Sequence, residues 1–586
     1  MLDKDFLSGN YQKAVLRSFD PKADSRAEDI PGLVGSLVFS GKIAEAKILY
    51  KESFSLLSST ERSACRFFLG LGFTRKSQYK RAFKIFRMNL KSLNSESSSL
   101  QKFYVYQGIA FYLFFLGKFQ LSMKWALKSF DAAIEARDLY GRSLSTDLLA
   151  HIKLRLGEIN VGLDLLKTAE KLSKQIGNKS VTEAIEIAEL QYQAQYGHDR
   201  LEILSKLQAK FNELVTEDNY SRAAIGLELS RQYTLRGRFD LSEKILEGIS
   251  ANIFATENRR QEIQLNLRYA ENFYQMGKQA LAWNYLRSAR RCLNFEADKS
   301  SEIQIMGFEY KLFEGVNKHS IKEDLNKKSL KFNNIINSNI LSRNGISNLS
   351  SQNREDLYND FLLTLDNETD KVSKIIESGY LTLLFEELKI KRGESLLYLD
   401  DESNRVILFF NDKIESPESK LTPTDTKLLK AILSGLSEKS DLCTKVWGHQ
   451  YDPLRHDNVI YTAIRSLRKN LGSGSAWIET SENGYHFSSD RKFKVNLKKR
   501  AMAEQFIEET STDPVNESSS QLNFRQIKSL KYLTKNEYLD VSSYQKLFSV
   551  SDVTASRDLR TLKKLGFVIS IGQARAIKYL LKKSRN

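Results

Sequence analysis

Five glycines, Gly117, Gly157, Gly197, Gly237 and Gly277, stand forty residues apart, and this period constrains the fold more than any other feature of the chain. Ser77 occupies the same phase one period earlier, and Gly41 starts a shorter unit before it. Four positions after each glycine comes an apolar residue, Leu121, Val161, Leu201, Leu241 or Leu281; the next position is usually small, as in Ser122, Gly162, Ser242 and Ala282. Seven positions before the turn lie Gly70, Ala110, Ala150, Ser230 and Ala270, and twelve after it lie Ser129, Ala169, Ala209 and Ala289. A helix, a tight turn and a second helix account for this spacing, with small residues where the two helices approach closely. The unit around Gly237 has Ile249 in the second of these slots and Gly248 one position early. The unit around Gly197 departs most, with Leu190 and Glu202 where the others are small.

This pattern resembles tetratricopeptide repeats lengthened to forty residues and lacking the closing proline, over roughly residues 35 to 295. The resemblance implies an α-solenoid over residues 1–318 whose first helices line a concave face. That face presents Tyr104, Gln107, Phe111, Phe114, His151, Arg155, Gln191, Arg231, Glu271 and Tyr274 to a peptide or protein partner. The same aromatics also suit a core between repeats, and the polar residues a solvated inner wall, so both readings stand. Ser36 to Ile43 lacks the first glycine and the Ser/Thr of a phosphate loop, and its Gly41 is the repeat turn, so no nucleotide is expected there.

A chain of 586 residues exceeds one ordinary core and predicts about three to four domains. With 29 glycines and only 6 prolines it lacks the turn residues of an all-β protein, so the fold class is mainly α. The formal charge of +17 favours a polyanionic partner, nucleic acid first. Cys65, Cys292 and Cys443 are too far apart for a disulfide framework or a CxxC pair, which fits a reducing compartment. The N-terminus has no apolar stretch of signal-peptide length, and Ile109 to Leu116 is the longest apolar run. The expectation is a cytoplasmic, nucleoid-associated protein without membrane contact, cofactor, metal or catalytic constellation.

Residues 319–356 read as an Asn/Ser-rich boundary and 357–394 as a helical connector. Leu396 to Leu399 and Val406 to Phe410 then read as paired strands. In Leu421 to Leu429, Thr422 caps a helix, Pro423 fits its first turn, and Asp425 reaches back to the cap. Val446-Trp-Gly448, the helix from Asp457 to Leu471, and the strands Trp477 to Thr480 and Tyr485 to Phe487 around Asn483-Gly484 complete a winged helix. Over residues 395–490 these motifs resemble the effector domain of OmpR/PhoB-type response regulators. Asp425 stands for the family's glutamate, Asn458 and Tyr461 stand where it has an arginine and an aspartate, and Glu482 replaces a wing glycine. The resemblance implies binding to double-stranded DNA. Ile460, Ile464, Leu467 and Leu471 form the buried stripe of the recognition helix, leaving Asn458, Thr462 and Arg465 for base edges and Arg468 and Lys469 for phosphates.

Residues 491–520 read as a basic segment and linker. From 521 to 586 the three-helix plan recurs, with Val550-Ser-x-x-Thr-Ala-x-Arg-Asp-Leu resembling DeoR-type and Fic-associated winged helices. Ser551 caps this recognition helix, Ala555, Leu559 and Leu562 are its buried face, and Thr554, Ser556, Arg557, Arg560 and Lys564 face outward. Such a module binds DNA or, in the Fic-associated proteins, protein. The whole is expected to be an α-solenoid followed by two winged helix-turn-helix domains: a transcription regulator that receives an effector or partner, RNA polymerase among the candidates, through its repeats. The alternative is an assembly scaffold that uses the same parts to hold proteins.

Overall fold

In the computed structural model, which describes residues 4–18, 27–196, 200–214, 219–255, 258–294, 298–312, 317–331, 365, 370–401, 403–417, 420–496, 524–536, 538–548, 550–572 and 577–581, the repeat turns are left-handed. Gly41, Gly117, Gly157, Gly237 and Gly277 have φ of +80°, +73°, +91°, +70° and +75°, and Ser77 adopts +54° at the same phase. Gly197 lies outside the described residues. In each turn the N–H of the left-handed residue and of its successor close back on the preceding helix, as in Gly117 N to Phe114 O and Lys118 N to Leu113 O. A left-handed L-residue costs about 1–2 kcal/mol. Ser77→Gly is therefore expected to raise stability by about 1 kcal/mol, read as a shift of the urea midpoint at unchanged slope.

The turns join α3 (Ile30–Phe39) to α4 (Ile43–Glu52), α5 (Ser59–Arg75) to α6 (Tyr79–Leu90), α7 (Ser99–Phe115) to α8 (Phe119–Glu135), and α9 (Leu139–Leu156) to α10 (Ile159–Ile176). They continue with α11 (Lys179–Tyr196) and α12 (Arg200–Glu213), α13 (Asn219–Leu235) and α14 (Phe239–Ala255), then α15 (Arg259–Gln275) and α16 (Gln279–Arg291). Two short helices, α1 (Lys4–Leu7) and α2 (Tyr11–Ser18), precede them. Ala110, Ala150, Ser230, Ala270, Ser129, Ala169 and Ala289 are fully buried, as close helix approach requires. A Cβ on Gly70 would lie 2.5 Å from the Phe86 ring. The exception is Ala209, which is exposed: in the irregular fifth unit Ile203, Leu207 and Phe211 carry the burial instead. The sequence reading also missed the ninth position after five of the turns, where Phe86, Ala126, Leu166, Leu246 and Leu286 fill the core.

The stack curls until its ends meet. Tyr79 donates to Asp298 at 3.0 Å, Arg260 donates to Tyr79 at 3.1 Å and to the Phe115 carbonyl, and the Arg75 guanidinium lies over the Tyr220 ring. The N-terminal segment is drawn in as well: Phe6 is fully buried, and its carbonyl and that of Gly9 accept from Asn178 and Ser180.

Beyond α16, α17 (Lys299–Leu312) packs on α18 (Asn317–Lys331), held by Lys328 to Glu302 at 2.7 Å with Leu325 buried. The stretch read as a boundary from residue 319 thus begins as helix, because Ile321 and Leu325 give it an apolar edge; residues 332–364 lie outside the described residues. The connector contributes α19 (Lys371–Ser378) and α20 (Leu384–Glu387). A sheet of order β3-β2-β1-β6 follows, from β1 (Leu396–Asp400), β2 (Arg405–Phe409), β3 (Ile414–Glu415) and β6 (Lys492–Asn496). β6 lies within the basic part of the stretch 491–520 read as a basic segment and linker: it pairs parallel with β1, Leu396 opposite Lys492, as its alternation of Lys with Phe493 and Val495 suits an edge strand. The sheet is docked on the repeats at the sixth turn, with Ile414 N donating to Gly237 O at 2.8 Å and Asp240 N to Asp412 O at 3.1 Å.

Then come α21 (Pro423–Leu433), α22 (Lys439–Trp447), α23 (Pro453–Leu471) and the hairpin of β4 (Ile478–Ser481) and β5 (Gly484–Phe487). All of this belongs to one compact unit ending at Leu497. The second unit, Lys498–Asn586, contains α24 (Phe524–Lys535), α25 (Val541–Phe548), α26 (Asp552–Lys564) and a sheet of β7 (Leu539–Asp540), β9 (Lys578–Leu581) and β8 (Val568–Ile571) in that order.

Candidate nucleic-acid interface and repeat cavity

The placement of α23 follows from local chemistry. Thr422 and Asp425 form the reciprocal capping box of α21, with Pro423 in its first turn, and Asn470 of α23 donates to Asp425 at 2.9 Å. Gly448, at φ +73°, ends α22, and Asp452 caps α23. Ile460, Ile464, Leu467 and Leu471 are all buried against α21 and the strands. The opposite face therefore points outward: Asn458, Thr462, Arg465 and Lys469 are exposed. Thr462 returns its hydroxyl to the Asn458 carbonyl, while no side chain among the described residues engages Arg465 or Lys469.

Arg468 differs from its sequence reading as a phosphate contact. Its guanidinium donates to the Ile478 carbonyl at 2.7 Å and the Thr480 hydroxyl at 2.9 Å, so it ties the helix to the hairpin. At the head of the helix, Asp457 bonds Lys439 and the Tyr451 hydroxyl, which hold its carboxyl below the usual carboxylate range. Tyr461 and Leu454 are also exposed, 58% and 97%.

In the second unit Ser551 accepts from the Thr554 amide, and Ala555, Leu559 and Leu562 are fully buried. Arg557, Arg560 and Lys564 are exposed, and Thr554 and Ser556 half-buried. Asp558, which the sequence left unassigned, is buried between Arg525 at 2.8 Å and the Tyr544 hydroxyl at 3.1 Å.

The ten residues assigned to the concave face separate into two groups. Phe111, Phe114, His151, Arg155 and Gln191 line a cavity of about 1620 Å³ inside the curl of repeats. The others do not. Tyr104 is buried against Phe67 and Phe103, and Gln107 is spent on Leu144 O, Ser129 and Ser145, because both are enclosed by neighbouring helices. Arg231 is buried with Glu228, Glu271 pairs with Arg268, and Tyr274 meets Phe308 edge to face and lies under Arg392, where the docked connector covers that end of the face. In the cavity His151 lies 3.3 Å from the Tyr192 hydroxyl and 3.5 Å from Asp147; burial pushes the imidazole down and the Asp147 carboxyl up. Among the described residues no group of three His, Cys, Asp or Glu side chains is placed to hold a metal, and no helix is long and apolar enough to cross a membrane.

No family model and no curated protein matches the sequence. Among solved structures the chain is similar to the Saccharomyces cerevisiae separase–securin complex, with a TM-score of 0.37 and 9% identity, over 82% of this chain and 41% of that one. The chain thus spans less than half the length of that structural neighbour.

Proposed function

We propose that the protein is a sequence-specific DNA-binding regulator of transcription in which α23, as the recognition helix of an OmpR/PhoB-like winged helix, enters a major groove and the repeats receive an effector or partner. The supporting observation is the exposed row Asn458, Thr462, Arg465 and Lys469 on a helix whose other face is locked into the module core. Arg465 offers a fork to guanine or phosphate, and Asn458 a bidentate amide to adenine. The second unit adds Arg557, Arg560 and Lys564 for phosphates, and a nucleoid location accompanies this reading. In fluorescence anisotropy with the selected duplex, Arg465→Ala is expected to weaken binding by about 1–3 kcal/mol without changing the melting temperature. Equal affinity of the two proteins sinks the assignment.

A second reading, an assembly scaffold, is favoured by the exposed Leu454, Val459 and Tyr461 on the same helix, which suit a protein surface. Graded salt separates the two. Phosphate contacts give a steep fall of affinity with salt, whereas a scaffold shows no duplex affinity to lose.

A further inference from the structure

The repeat cavity is unlike a small-molecule site in size. At about 1620 Å³ it exceeds the roughly 300–1,000 Å³ of pockets that take drug-sized ligands. Its wall is a run of rings in mutual contact: Phe67 lies 6.4 Å from Phe111, Phe111 6.4 Å from Phe115, Phe115 5.8 Å from Phe114, and Phe114 6.2 Å from His151.

The charge on the wall is unbalanced. Among the described residues of the lining, six cationic side chains, Lys13, Lys42, Arg75, Lys76, Arg155 and Arg260, face three carboxylates, although Lys13, Lys42 and Arg260 are paired with Asp5, Glu45 and Asp298 outside that set. Of the three lining carboxylates, Glu183 and Glu213 lie within 3.7 and 3.5 Å of Lys210. Arg75 is the notable cation. Its guanidinium is 4.9 Å from the Phe39 ring centroid and 5.1 Å from that of Tyr220, so its position is fixed by aromatic faces, and among the described residues no carboxylate or hydrogen-bond acceptor engages its N–H edges. Tyr140 adds an independent sign: it is 2% exposed, its hydroxyl has no hydrogen-bond partner, and it stands on the same wall. A buried hydroxyl left unpaired carries a desolvation cost that a ligand's acceptor atom removes.

We infer that the cavity is a receptor for a short acidic peptide carrying aromatic side chains, with Arg75 and Tyr140 taking a carboxylate and the ring-lined wall taking the aromatics. The inference rests on the ligand-receiving role given to the repeats above and names its ligand class. Arg155, which meets the Tyr192 hydroxyl, provides a second cation further along the wall.

The test uses the full chain and a fluorescein-labelled hexapeptide alternating glutamate and phenylalanine, with a lysine–phenylalanine hexapeptide as the charge-reversed control. Wild type is expected to bind the acidic peptide at least tenfold more tightly than the basic one. Arg75→Ala and Arg155→Ala should each lose tenfold or more, Arg75→Lys should fall between, and Arg287→Ala, an exposed cation on α16, should change nothing. Photo-crosslinking of a benzophenone-bearing acidic peptide to the unmodified protein guards against a variant that fails to fold; attachment is expected within the peptides containing Phe111, Tyr192 or Tyr220. Equal affinity for acidic and basic peptides, insensitivity to both arginine substitutions, or attachment confined to residues outside the cavity wall overturns the inference. Duplex affinity, measured on the same proteins, depends on Arg465 and is unaffected by either result.

Discussion

Gly484→Ala is expected to lower the stability of the α21–α23 module by about 4–5 kcal/mol, a large effect for one methyl group. A Cβ at this position would lie 1.8 Å from the Ser437 carbonyl oxygen and 2.9 Å from its carbon, and backbone at an element junction has no side-chain freedom with which to yield. The glycine is not needed for the turn. The two-residue loop is Glu482-Asn483, Gly484 pairs with Ser481 as the first residue of β5, and its φ is outside the left-handed region. It is needed because the strand passes directly over the start of α22, where Tyr485 N donates to Ser437 O at 2.8 Å and Lys439 N to Asn483 O at 3.1 Å. Accommodating the methyl breaks both bonds and lifts the hairpin from the helices. Hydrogen exchange should then quicken by two orders of magnitude or more at Lys439 and Tyr485, and duplex binding should fall with it. Unchanged protection at those two amides would falsify this account.

Gly277→Ala is expected to cost about 3–4 kcal/mol, against about 1 kcal/mol for Gly117→Ala at the equivalent turn. Both glycines are left-handed, so both substitutions carry the backbone penalty. A Cβ on Gly117 meets open space, whereas on Gly277 it would lie 2.5 Å from the Arg392 carbonyl oxygen and 2.7 Å from its carbon. Arg392 is anchored there, donating to Gln275 at 3.0 Å and lying over the Tyr274 ring. The difference between the two variants therefore measures the docking of the connector on the repeats. Limited proteolysis near Arg392 should accelerate in the Gly277 variant and not in the Gly117 variant; equal effects would show that this contact adds nothing to stability.

Much of the candidate interface was legible in the sequence because its determinants are local. The Thr422–Asp425 box, the Gly448 stop and the stripe from Ile460 to Leu471 each act within one or two helical turns, and together they fix which face of α23 points outward. Arg468 was misread because the spacing that puts it near the outward face says nothing of the hairpin folding back to meet it. The concave face was half legible for a similar reason: helical phase separates inner from outer residues, but only the neighbouring repeat decides that Gln107 is enclosed while Phe111 is not.

By itself the sequence determined the repeat turns and the helices between them. A left-handed backbone and a close helix crossing each demand a particular residue at a particular position, and a period of forty writes that demand into the chain again and again. Only the tertiary structure decided that the repeats curl until Tyr79 meets Asp298, that Phe6 is buried and Ser180 bonds Gly9, and that β6 pairs beside β1. It also decided that the glycines at the sixth and seventh turns, Gly237 and Gly277, serve as a docking surface as well as turns. These contacts join residues far apart along the chain. They depend on the curvature accumulated over many small repeat-to-repeat rotations, which no single position encodes.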